Sequence, residues 1–146
     1  MRWIACAALS AALLVVPMVG CASKGSGVDF SSAPTADLTG SRKVSVSGEE
    51  AWEHAAREED RALLSSKKPI EGRWALLYVN GLGCPLCATN IDQQLERLPG
   101  VEGVRVDLGS GTVQLALAEG ERRLSPMDLR EAVADAGFTL VKVTQK

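Results

Sequence analysis

Residues 72–146 of this chain predict an α+β fold built in the order β-α-β-β-α-β, and three observations carry the prediction. The apolar run "RWALLYVNG" breaks at two glycines into a segment with helical periodicity. Two alternating runs face each other across the short turn "GSG". A second capped helix then leads into the apolar run "FTLVKV". Elements in that order form the ferredoxin-like split motif, a sandwich of one sheet and two helices.

Each element has a local reason. Within residues 73–80 the six from Trp74 to Val79 are apolar at consecutive positions, which suits a strand covered on both faces. Gly81 and Gly83 give the backbone freedom to turn out of that strand. Cys84 then opens a helix with Pro85 in its first turn, where a missing N–H costs nothing. Ala88, Ile91, Leu95 and Leu98 recur three or four residues apart and mark the inner face of this helix, which "LPG" ends. In the next strand Val104, Val106 and Leu108 share a face, and after the turn at residues 109–111 Val113, Leu115 and Leu117 alternate on the returning strand. Ser125, Pro126 and Asp128 form a capped helix start. Leu129, Val133 and Ala136 line that helix, and Gly137 ends it.

The first 68 residues are of a different kind. Arg2 followed by the apolar stretch Ile4 to Val16 reads as a secretory signal, too short for the roughly 20 apolar residues of a membrane span. Met18 to Cys21, "MVGC", resembles a bacterial lipoprotein box, which implies cleavage after residue 20 and acylation of Cys21. The chain would then be held at a lipid membrane, and Ala22 after the cysteine implies the outer membrane, facing the periplasm. Residues 21–46 read as the lipidated cysteine and a Ser-, Gly- and Thr-rich flexible tether. Residues 47–68 read as a helical segment, with Ser47 and Glu50 as a capping box and Trp52, Ala55, Ala56 and Leu63 as a thin apolar stripe. His54, the one histidine of the chain, is expected to be solvated on that helix.

Cys6 leaves with the signal and Cys21 is consumed by lipid, so Cys84 and Cys87 remain as one pair in a disulfide-permissive compartment. A pair with this spacing can hold a metal, exchange electrons or cross-link a turn. The formal net charge is −2, and there is no basic stripe with interleaved aromatics, so nucleic acid is not a partner. No serine triad, carboxylate pair or phosphate-binding loop is present, which argues against an enzyme.

Residues 74–143 resemble the heavy-metal-associated domain, the module of copper chaperones and of the periplasmic mercury-binding protein. The family signature G-M-x-C-x-x-C stands here as Gly81-Leu82-Gly83-Cys84-Pro85-Leu86-Cys87, with Leu82 replacing the methionine that supports the loop. Ile91, Leu95, "LPGV" at 98–101, "VRVDL" at 104–108 and "GF" at 137–138 also match. The resemblance implies that Cys84 and Cys87 bind a soft ion, Cu(I) first and Hg(II) second, supported by Gly81, Leu82 and Gly83. Thiolates three apart on a first helical turn project to one side and favour soft ions, and the helix start stabilises their charge. Zinc, which takes a tetrahedral set, suits this pair less well. The partner implied is a metal-transporting or metal-accepting protein of the envelope. Two other readings stay open for the same pair: thiol–disulfide exchange, and a metal-free interaction module. Against the first, only Pro99 and Pro126 lie downstream, at a helix end and a helix start, and neither suits the cis-proline of thioredoxins.

Overall fold

A computed structural model describes residues 27–46, 49–119 and 124–146. The expected signal peptide (residues 1–20), Cys6, Cys21 and the cap Ser47 lie outside the described residues. In chain order the elements are β1 (Arg42–Val46), β2 (Glu49–Glu53), α1 (Glu58–Leu64), β3 (Trp74–Asn80), α2 (Pro85–Glu96), β4 (Val101–Asp107), β5 (Thr112–Leu117), α3 (Pro126–Asp135) and β6 (Thr139–Gln145).

The elements from β3 to β6 form the expected β-α-β-β-α-β unit. Its four strands stand in the order β4-β5-β3-β6, and every neighbouring pair is antiparallel. β3 is central, as its uninterrupted apolar run requires. Ala75, Leu77 and Val79 point to one face, where they join Val113, Leu115 and Val143 from β5 and β6. Ile91 and Leu95 of α2 and Leu129 and Val133 of α3 close that core, all with no measurable exposure. Helix ends follow the sequence: Ser125 and Asp128 form a reciprocal capping box, and Gly137 takes φ +89°, a left-handed conformation that ends α3.

What covers the opposite face of the sheet departs from expectation. Trp74, Leu76 and Tyr78 alternate with the first set and are also buried. Their cover is the N-terminal segment. Phe30 packs on Trp74 with ring centroids 5.4 Å apart, the backbone N–H of Asp37 donates to the Tyr78 hydroxyl at 2.8 Å, and the Gln114 side-chain amide donates to the Pro34 carbonyl at 3.1 Å. Residues 30–37, within the stretch read from composition as a flexible tether, therefore lie against the sheet, and Arg42–Val46 form β1. The physical reason is the apolar outer face of β3, which would otherwise stand in water.

Residues 47–68 were expected to be helical, and among the described residues of that stretch only Glu58–Leu64 are. Glu49–Glu53 instead pair antiparallel with Arg42–Val46, with Lys43 opposite Trp52 and Val44 opposite Ala51. The spacing of Trp52, Ala55 and Ala56 is compatible with a helix. Tertiary contact decides otherwise: the Trp52 indole N–H donates to the Gly109 carbonyl and its ring lies against Gly111, at the tip of the β4–β5 turn. A short helix has little intrinsic stability to set against such packing. α1 then carries the chain toward the helical layer, where Leu64 and Ile70 join the core.

Candidate metal centre

β3 delivers the chain to the cysteine loop at one end of the sheet. Gly81 has φ +89°, which turns the backbone away from the strand. Leu82 then drops into the core with no exposure. Gly83 is half-buried and leads to Cys84, the N-cap of α2, followed by Pro85 in the first turn. Cys84 Sγ accepts a hydrogen bond from the Cys87 N–H at 3.1 Å. A sulfur standing at the cap of a twelve-residue helix meets the partial positive charge of its N-terminus, which favours the thiolate form.

The two cysteines meet. Their Cα atoms are 5.1 Å apart, and the sulfurs are joined as a disulfide. Both are half-buried, so no difference in exposure class separates them, but Cys87 also packs against the hydrophobic core. Leu86 between them is 78% exposed, an apolar side chain displayed beside the sulfurs. Among the described residues no group of three or more His, Cys, Asp or Glu side chains converges on a point. The donor set that the loop offers is therefore two sulfurs, suited to a soft ion that accepts linear coordination.

Residues 76–139 match the family described as the heavy-metal-associated domain. The segment is a heavy-metal-associated domain. Over 62 residues the chain is 37% identical to a mercuric reductase of Serratia marcescens, an alignment that covers 42% of this chain and 13% of that enzyme. Over 64 residues it is 33% identical to copper-transporting ATPase 1 of Mus musculus, covering 44% of this chain and 4% of the transporter. The chain thus spans a small fraction of the length of these curated relatives, and what they share is the domain. A solved structure titled CopZ metallochaperone aligns over 47% of this chain and 98% of its own, with 24% identity and a TM-score of 0.43.

β2, which precedes the matched heavy-metal-associated segment, reaches the cysteine loop at Gly83, a contact the sequence did not reveal. His54, expected to be solvated, is buried, because it follows β2 into the crevice between the β4–β5 turn and Tyr78. Its Nδ1 lies 2.8 Å from the Ser41 hydroxyl and its Nε2 3.0 Å from the Gly111 carbonyl. A carbonyl only accepts, so Nε2 carries the proton and Nδ1 of the neutral ring accepts from Ser41. Asn80, at the end of β3, accepts from the His54 N–H at 2.7 Å and donates to the His54 carbonyl at 3.3 Å. Nothing in the sequence pointed to Asn80 or to this partner.

Burial holds the His54 pKa below its usual value, opposed in part by the hydrogen bond to Gly111. Arg57 and Lys142 line the same small cavity of about 100 Å³, with Asp37 and Asp60, so an imidazolium there would meet charges of both signs. The folded state therefore holds the proton less tightly than the unfolded state. The stability that neutral His54 contributes is complete above the unfolded value of about 6.5 and is lost as pH falls through the lower folded value. The melting temperature should fall as pH drops below the unfolded value of about 6.5, and His54→Gln, which cannot take up the proton, should flatten that slope. Thermal melts of both proteins across this range check the prediction; identical slopes would refute it.

Proposed function

We propose that this protein captures a soft metal ion, Cu(I) or Hg(II), through Cys84 and Cys87, and passes it to a metal-accepting protein of the cell envelope or sequesters it there. One observation carries the reading: two sulfurs meet at the N-cap of α2 inside a heavy-metal-associated domain, on a loop that brings no other donor cluster with it. The names of the relatives, a mercuric reductase and a copper transporter, support the choice of ions.

The chain's own residues account for each part of the task. In the reduced state the half-buried sulfurs at the start of α2 keep partial access to solvent, so an incoming thiolate of a partner can attack the ion while the fold stays closed. Leu82 anchors the loop from below during that exchange. Exposed Leu86 gives the partner an apolar contact next to the ion. Ligand exchange then moves the ion between thiolates without oxidation or reduction. Attachment through acylated Cys21 would keep the domain at the outer membrane, facing the periplasm; the lipoprotein-box resemblance of residues 18–21 supports that placement.

A second reading has its own observation. Cys84 and Cys87 form a disulfide, so the same pair can serve as a thiol–disulfide couple. The two readings separate in one experiment. The reduced protein and its Cys84→Ser and Cys87→Ser variants are titrated with Cu(I) against a competing chelator. The metal reading expects one tightly held ion in the wild type and loss of tight binding in both variants, since one thiolate cannot complete a linear site. Variants that bind as tightly as wild type would overturn it, and a wild type that reduces protein disulfides without retaining Cu(I) would establish the redox reading. For anchoring, Cys21→Ser should leave the membrane fraction or stall with its signal uncut; a mature, membrane-bound variant would rule the lipid anchor out.

A further inference from the structure

The cysteine loop is bracketed by β2. At the start of the loop, Asn80 holds the backbone of His54 at two points, 2.7 Å and 3.3 Å, much as a neighbouring strand residue would. At its end, Gly83 stands directly before Cys84 and packs on the same strand. A Cβ at Gly83 would meet the Glu50 carbonyl oxygen at 2.9 Å and the Ala51 Cβ at 3.0 Å, and Ala51 is itself 2% exposed. Between the two contacts lie only Gly81 and Leu82, the latter held in the core. Three points of the loop are thus fixed from outside it: Asn80 by His54, the residue directly after β2, Gly83 by β2 itself, and Leu82 by the core. The end of β2 that Asn80 holds is secured in turn by Trp52 on Gly109 and the His54 ring on Gly111.

We propose that Asn80 is a positioning residue for the metal loop, tying β2 to the loop so that this strand and Gly83 hold Cys84 in the orientation that converges on Cys87. The proposal rests on the soft-metal reading and deepens it, by assigning to residues outside the signature a part in setting affinity. A two-coordinate site gains nothing from further ligands, so its affinity depends on how little the two sulfurs move before the ion arrives. With both ends of a two-residue loop clamped, the entropy of ordering that loop is lost on folding and not on binding. Gly83 is required for a steric reason, because any side chain would push β2 away from the loop.

The test uses the full chain, reduced, in four forms: wild type, Asn80→Ala, Gly83→Ala, and Leu64→Ala. Leu64 lies in the core on α1, away from the loop, and controls for loss of stability alone. Cu(I) affinity is measured against a competing chelator, and amide hydrogen exchange is followed at residues 81–84. Asn80→Ala should bind Cu(I) about 10-fold more weakly, the low end of what loss of a supporting partner costs a metal site, and should exchange faster at those amides. Gly83→Ala should do the same by a different route, and it stands in should Asn80→Ala fail to fold. Leu64→Ala should lower the melting temperature while leaving affinity and loop exchange at wild-type values. Unchanged affinity and exchange in the two loop variants, or equal losses in Leu64→Ala, would overturn the proposal. If wild type itself retains no Cu(I), the soft-metal reading fails, and loop exchange alone then decides whether β2 braces the loop.

Discussion

Burial of β3 on both faces is the constraint from which the rest of the structure follows. Trp74 to Val79 are all buried, and no strand with that many apolar side chains can lie at an edge or with one face in water. The split β-α-β-β-α-β unit covers one face with α2 and α3. The second face needs another cover, and the chain supplies it from its own N-terminal side, with Phe30 on Trp74, Pro34 against Gln114, and Asp37 and His54 on Tyr78. Once the N-terminal segment is drawn onto the sheet, its hairpin lies beside the end of β3, which is where the cysteine loop begins. The contact between β2 and the cysteine loop is thus a consequence of how the sheet is covered.

At the loop itself, the fold provides orientation more than it provides ligands. Gly81 turns the chain, Leu82 fixes it to the core, and the helix start of α2 offers N–H groups and partial positive charge to the sulfurs. The same features serve thiolate chemistry of either kind. What distinguishes metal exchange is the surrounding unit: a heavy-metal-associated domain with glycines flanking the leucine before the first cysteine and an exposed Leu86 beside the second. Two ligands are enough to hold a soft ion, and few enough to release it to another thiolate.

The unit from β3 to β6 was legible because its signals are local. The run at 73–80, the cap and proline at 84–85 and 125–126, and the glycines at 81 and 137 each specify their own structure, and all agree with one topology. The N-terminal segment carried the opposite kind of information. Residues 27–46 have the composition of a linker, and what orders them is a surface more than forty residues downstream. Likewise "EEAWEHAA" satisfies a helical stripe, and only the docking of Trp52 and His54 on the β4–β5 turn makes it a strand and its continuation. One clue was present: a central strand apolar on both faces in a unit whose helices cover one side leaves a face in need of a partner. His54 and Asn80 could not be paired from sequence, because their bond runs through the His54 backbone and is blind to its side chain.

The central claim is that two cysteine sulfurs, and no other ligands of this chain, hold the ion. X-ray absorption at the copper edge, on the reduced full chain loaded with one equivalent of Cu(I), tests it most directly. The account predicts a first shell of two sulfurs that is lost in Cys87→Ser. A first shell containing nitrogen or oxygen donors, or one unchanged by that substitution, would contradict it.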